Sequence, residues 1–150
     1  MKTDDYLLSK IVSLTTLSII SASVFMALMA LFNETEFTIV YLIVGITLTS
    51  VMLILLGFIL VSRVQNINGY LLGIIIGFLG LTFPPLLHLF GLFENPVFYL
   101  WPTQASFILF DGVFHASSLE VWEIAYGIGY QLLWIGVLSV SYTHLTLPTN

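Results

Sequence analysis

The sequence has no cysteine and only three lysine and arginine residues among its 150. Without cysteine there is no disulfide, no thiolate nucleophile and no thiolate metal site, and redox chemistry does not identify a compartment. Three basic residues cannot neutralise a phosphate backbone, so nucleic-acid binding is excluded. Charge of either sign is scarce: charged residues make up 7% of the chain against 59% hydrophobic residues, and the mean hydropathy is +1.07. A soluble domain of this length cannot hide so much apolar surface, so this is an integral membrane protein. There is no phosphate-cradling glycine loop, Walker sequence or Ser-His-Asp arrangement, and no cofactor is expected. The first apolar run follows Asp4 and Asp5 and is long enough to be expected as a retained helix and not a cleaved leader.

What is present is a set of four long apolar runs, 11–32, 37–61, 70–89 and 121–139. Each is close to the roughly 20 residues that a hydrocarbon core of about 30 Å requires. The expected fold is all-α and membrane-integral. One domain over 1–139 holds four transmembrane helices, with a short re-entrant or interfacial helical segment at 98–116 on the outer side. Lys2 and Lys10 precede the first span and Arg63 follows the second. In the cell membrane, the excess of basic residues on cytoplasmic loops then places the N-terminus and the Arg63 loop on the cytoplasmic side, and the acidic turn "NETEF" and the 92–120 region outside.

The third span has a distinctive face. At about 100° per residue, Gly73, Gly77, Gly80, Pro84, His88 and Gly91 fall within roughly 80° of arc. Gly73 and Gly77 form a GxxxG pair, which suits close packing against a neighbouring span; the same face also suits a flexible wall of a translocation path. Pro84 and Pro85 are expected to kink or end this helix. Hydroxyl residues of the first two spans are expected to bond to the preceding turn or a neighbouring helix, and the deep Gln131 to bond to a neighbouring helix.

The stretch "FYLWPTQASFILFDGVFHASSLE" (98–120) is too apolar for a loop, yet carries Pro102 and Asp111. A helix from Pro102 to Phe114 would be roughly 20 Å long, short of the core, and Asp111 is costly in lipid. The segment is therefore expected to dip into or lie along the outer leaflet, with Ser117 and Glu120 forming a capping box that starts the fourth span. Its candidate residues are Trp101, Pro102, Thr103, Gln104, Asp111, His115 and Glu120. Asp111 and His115 stand at i, i+4, with Glu120, Glu123 and His88 nearby. Such a set can bind a metal or relay protons, but it lacks fixed ligand spacing, so no metal and no catalytic residue is assigned and contact with water and headgroups is expected. Trp101, Trp122, Tyr99, Tyr126 and Tyr130 are expected to anchor at headgroup level.

After Ser139 the character changes. The run 140–149 of "VSYTHLTLPTN" matches one translated frame of a widely used transposon-end sequencing adapter, and Ser139 and Asn150 suit its flanking bases. Residues 140–150 are therefore expected to be a non-native tail, and the chain a fragment with His144 outside any functional role; the plain alternative is a short cytoplasmic tail.

Several stretches converge on a family. "DDYLLSKIVSLTTLSIISAS" resembles the start of the third span of type-2 ABC transporter permeases, and "LTSVMLILLGFILVSRVQNINGYLLG" resembles a small-residue span with its basic cytoplasmic turn. "ENPVFYLWPTQASFILFDGVF" followed by "WEIAYGIGYQLLWIGVL" resembles the outer segment and last span of bacterial drug-export permeases, including those labelled fluoroquinolone exporters. The resemblance covers nearly all of 4–139. It implies a six-span subunit that pairs with a second permease subunit, identical or different, and with ABC ATPase subunits that carry the hydrolysis. This chain would hold spans three to six, and no catalytic residue carries over. The implied mechanism is alternating access for an apolar or amphipathic substrate, with the glycine face and the outer segment as moving parts. Two other classes fit the composition: the membrane-embedded input domain of a sensor kinase, and a membrane enzyme using Asp111 and His115.

Overall fold

The computed structural model describes residues 3–33, 37–64, 66–93 and 95–146. Lys2, the acidic residues of the 34–36 turn, Glu94 and the tail at 147–150 lie outside the described residues. The elements in order are α1 (Thr3–Asn33), α2 (Ile39–Arg63), α3 (Ile67–Leu89), a 3-10 helix (Pro96–Leu100), α4 (Gln104–Phe114) and α5 (Val121–Thr146). There is no strand among the described residues. Four of the helices are long and apolar enough to cross a membrane, and α4 is a shorter apolar helix. Leucine, isoleucine, valine and phenylalanine side chains stand exposed along α1 and α3, many more than half accessible. A surface of that kind is stable in lipid and not in water.

The helix ends differ from the expected spans for local reasons. α1 starts at Thr3, eight residues before the apolar run, and Asp5 near its start suits the positive end of the helix dipole. α2 carries Arg63 in its last turn, at the negative end. α3 does not end at its prolines. It continues to Leu89 with Pro84 and Pro85 inside it. Gly91 does not belong to the glycine face: it stands beyond the helix at φ 66°. There the amides of Gly91 and Leu92 bond to the carbonyls of His88 and Leu87, the Schellman closure that needs a left-handed residue. α5 continues past Ser139, since 137–146 holds no glycine or proline to stop a helix, whatever the origin of those residues.

The helices pack in two tiers. In one, Met26 of α1, Leu42 and Ile46 of α2 and Val113 of α4 form a core. In the other, Met52 and Leu55 of α2 pack with Leu138 of α5, flanked by Leu7 and Ile11 of α1. α2 is common to both. Between α2 and α5, one tier is filled by α4, and in the other the two long helices meet directly. Thr49 marks the change: its hydroxyl donates to Gln131 Oε1 at 3.3 Å, so Gln131 does bond to a neighbouring helix. In α1, Thr16 and Ser18 bond to the carbonyls of Val12 and Leu14 in the preceding turn.

α4 is the most enclosed helix. Seven of its eleven residues are buried, Ala105 and Leu109 among them, so the segment enters the bundle and does not lie along its surface. It is entered through the 3-10 helix, started by Asn95, whose side chain accepts the Val97 amide at 3.0 Å. α4 begins at Gln104, two residues later than Pro102 suggests. It runs back until the Val113 carbonyl accepts the Thr38 amide at 2.8 Å, at the start of α2. The segment is a hairpin that turns back within the bundle.

Candidate functional site at the re-entrant segment

Pro84 and Pro85 have no amide hydrogen, so the carbonyls four residues back, Gly80 and Leu81, lose their helical partners. An open carbonyl at membrane depth costs several kcal/mol. The hairpin supplies both missing donors. Trp101 Nε1 donates to the Gly80 carbonyl at 3.0 Å, and the Thr103 hydroxyl donates to the Leu81 carbonyl. Thr103 stands at the N-cap of α4 but makes no side-chain cap bond there; its hydroxyl is committed to α3 instead. The helix survives its prolines because another segment satisfies what they leave open.

α5 holds the other side of the hairpin. Tyr126 donates to the Tyr99 carbonyl at 2.5 Å, and Tyr130 to the Leu100 carbonyl at 2.7 Å. The rings continue as a column: Tyr99 lies 5.7 Å from Trp122 and 5.4 Å from Tyr126, and Tyr126 stacks on Tyr130 at 5.2 Å. Trp101, Tyr126 and Tyr130, expected as headgroup anchors, therefore act as internal staples; their polar atoms found open carbonyls inside the chain. Gly80 is nine residues from the end of α3 at Leu89, and Tyr130 nine from the start of α5 at Val121. Both distances put the hairpin tip roughly 13 Å below the helix ends, close to half of a core of about 30 Å.

Close approach depends on glycines other than those of α3. A Cβ on Gly127 of α5 would meet Leu109 Cγ at 2.8 Å, and one on Gly45 of α2 would meet the Phe110 ring at 3.1 Å and Leu109 Cβ at 3.5 Å. Leu109 thus sits between two glycines on facing helices. By contrast, nothing lies within 4 Å of a Cβ on Gly73 or Gly80, and Gly77 meets only Leu60 at 3.9 Å. Of the α3 glycines, Gly77 lines a shallow apolar groove of about 230 Å³ against Leu53, Leu56 and Leu60 of α2. Gly45 and Gly127 were not singled out from sequence. Their signal, a small residue facing a large one, is visible only once the facing helix is known.

The titratable residues divide. His88, Asp111 and Glu123 line one polar cavity with Tyr99 and Gln104. Gln104 Nε2 stands 3.1 Å from His88 Nδ1, and the His88 ring lies 5.6 Å from the rings of Phe98 and Tyr99. His115 Nδ1 reaches Asp111 Oδ1 at 3.0 Å, as the i, i+4 spacing allows, but on an exposed edge. Glu120 lies outside the cavity and accepts the Trp122 indole at 2.5 Å. The capping box stands three residues later than expected. Glu123 accepts the Glu120 amide at 2.9 Å, while Ser117 is not its partner and Ser118 closes a turn on the His115 carbonyl. The helix starts where a carboxylate at its third position can reach back. Among the described residues, no three His, Asp or Glu side chains are grouped to hold a metal ion.

The model of the fluoroquinolones export permease protein family matches residues 1–146. Two relatives, the fluoroquinolones export permease proteins of Mycobacterium tuberculosis strains CDC 1551 / Oshkosh and ATCC 25618 / H37Rv, are each 30% identical over 129 residues, covering 86% of this chain and 53% of theirs. The chain spans about half the length of these curated relatives. No solved structure gives a significant match.

Proposed function

The chain belongs to the fluoroquinolones export permease protein family, and on that premise we propose that it forms the larger part of a permease subunit that moves a small apolar or amphipathic substrate out across the cell membrane, driven by a separate ABC ATPase. The observation that carries this is the family match over residues 1–146. In this reading the chain supplies the last four of six spans and works beside a second permease subunit, identical or different. It performs no hydrolysis itself, and 140–150 is a non-native tail with no part in transport.

The hairpin and its helix ends face outward, and the N-terminus of α1 faces the cytoplasm. The basic residues Lys10 and Arg63 support this, since both stand at the end of the bundle away from the hairpin. ATP binding closes the cytoplasmic side and shifts the population toward an outward-open state. The glycine face of α3 and the hairpin move against each other in that change.

The test is export by the complete reading frame, expressed with its neighbouring ATPase gene in an efflux-deficient host. A fluorescent fluoroquinolone should leave the cells faster, and replacing the Walker A lysine of the ATPase should abolish the gain. Efflux that survives that replacement, or accumulation equal to the empty host, would overturn the proposal.

A further inference from the structure

We infer that the crease between α2 and α3 holds one acyl chain of an anionic phospholipid, with the headgroup phosphate at Arg63. The inner part of the crease is the apolar groove of about 230 Å³ between Leu53, Gly57 and Leu60 of α2 and Ile74, Gly77 and Phe78 of α3. Towards the α2–α3 turn a second hollow of about 330 Å³ follows, with Val61 and Val64 on one side and Ile67 and Tyr70 on the other. Val61 and Val64 stand four residues on from Gly57 and Leu60, and Tyr70 four before Ile74. Both hollows therefore lie along one line of contact between the helices.

The dimensions fit a single leaflet. The groove ends at Leu81, whose carbonyl takes the Thr103 hydroxyl, so the tip of the hairpin closes it near mid-membrane. Leu81 is fourteen residues from Ile67, about 21 Å of helix. Half of a bilayer with its headgroup region is about 20–22 Å thick. A chain entering from one surface meets the closed end where its leaflet stops. The protein's own side chains do not fill the space: a Cβ on Gly57 or Gly73 would meet nothing within 4 Å, and one on Gly77 only Leu60 at 3.9 Å. Apolar walls left apart in this way gain dispersion contacts from a chain laid between them.

Charge selects the headgroup. Arg63 ends α2 on the face that carries Leu56 and Leu60, and is exposed. The one ion pair among the described residues joins Asp111 and His115 at the opposite end of the bundle, and Glu120 and Glu123 stand there too. Asp5 belongs to α1, which packs through Leu7 and Ile11 on Met52 and Leu55 of α2 and does not line the groove. The start of α3 adds charge of the same sign as Arg63, since no acidic residue stands in its first turn. A basic side chain at the mouth of a crease between spans suits an anionic headgroup; a zwitterionic one brings its own cation towards the arginine. The leaflet is the one on the side of Arg63, so the inference depends neither on orientation nor on the proposed export.

Bound lipid is counted by native mass spectrometry of the complete protein, equilibrated in detergent with equimolar phosphatidylglycerol and phosphatidylcholine of the same chains. One phosphatidylglycerol per chain should survive activation that strips the other lipids. Its preference over phosphatidylcholine should be about fivefold, the effect of one basic residue near a membrane surface. Arg63→Gln should bring the two lipids to within about twofold of parity. Lys10→Gln removes a charge at the same end of the bundle but over the Tyr6 ring, and should leave the preference within about twofold of its native value. Gly57→Leu puts a side chain into the groove where no protein atom stands within 4 Å of its Cβ, and should lower retention of both lipids at least about fivefold. The comparison of the two lipids on the unaltered protein needs no variant at all. No retained lipid, equal retention of the two, or a preference that survives Arg63→Gln or is lost equally with Lys10→Gln would each overturn the inference. So would retention unchanged by Gly57→Leu, the result expected if another span or a second copy fills the groove.

Discussion

The Trp101 indole donates to the Gly80 carbonyl at 3.0 Å, and that carbonyl is open because the residue four positions on is Pro84. The two features need one another. The proline would leave an unsatisfied acceptor without the indole, and the indole would have no acceptor without the proline. The coupling is measurable. Trp101→Phe should cost about 1 kcal/mol in the native background through the lost hydrogen bond, besides any loss of packing. Pro84→Ala returns an amide to the Gly80 carbonyl, and in that background the hydrogen-bond part should vanish. A double-mutant cycle, read by unfolding of the complete protein in detergent, should give a coupling of about 1 kcal/mol. A coupling near zero would show that the bond does not hold the hairpin.

The glycines make a contrast that one substitution type can test. Gly127→Ala places a methyl within 2.8 Å of Leu109, and should destabilise by about 1–3 kcal/mol through overpacking. Gly73→Ala meets nothing within 4 Å, and should be neutral or slightly stabilising, since alanine favours helix. Thermal unfolding of the two variants side by side decides it. Equal losses would mean that the close approach of α4 to α5 is not what Gly127 serves.

In the proposed mechanism Gly77 serves movement; in this chain a Cβ there meets only Leu60, at 3.9 Å. Gly77→Leu in the complete protein should reduce ATP-dependent efflux at least about tenfold while lowering stability by no more than about 1 kcal/mol. Unchanged efflux would remove the glycine face from the mechanism.

Gln131 is fully buried, with its oxygen bonded to Thr49 and its nitrogen without a partner. Replacing it with a side chain of similar volume removes the orphan together with the bond. Gln131→Leu should therefore be neutral or stabilising, while Thr49→Val, which strands the glutamine further, should cost about 0.6 kcal/mol. A loss above about 2 kcal/mol for Gln131→Leu would show that the contact specifies the α2–α5 register.

Orientation is testable at Ser117, which is exposed in the turn between α4 and α5. The native chain has no cysteine, so Ser117→Cys creates a single reactive thiol in it; in the complete protein any others are replaced first. An impermeant maleimide should label it in intact cells. Protection in intact cells with labelling only after lysis would reverse the topology.

Much of this protein was legible in its sequence, because hydropathy and helical period are local properties. Scarce charge and long apolar runs determined a multi-pass helical membrane domain with four spans, and the short, proline- and aspartate-bearing stretch at 98–120 was separable from them by length alone. The i, i+4 placement of Asp111 and His115 followed from helix geometry. What remained hidden depends on partners distant in sequence. Pro84 and Pro85 read as a break because the donors that rescue Gly80 and Leu81 stand some twenty residues away, at Trp101 and Thr103. The α3 glycines read as a packing face because their spacing is regular; within this chain the close approaches are at Gly45 and Gly127, since the body of α4 enters between α2 and α5 and meets α3 through its start. Only the tertiary structure decided that the hairpin goes in, and the physical reason is its hydrogen bonds. A segment with open carbonyls can enter a bilayer only where other helices supply the missing donors.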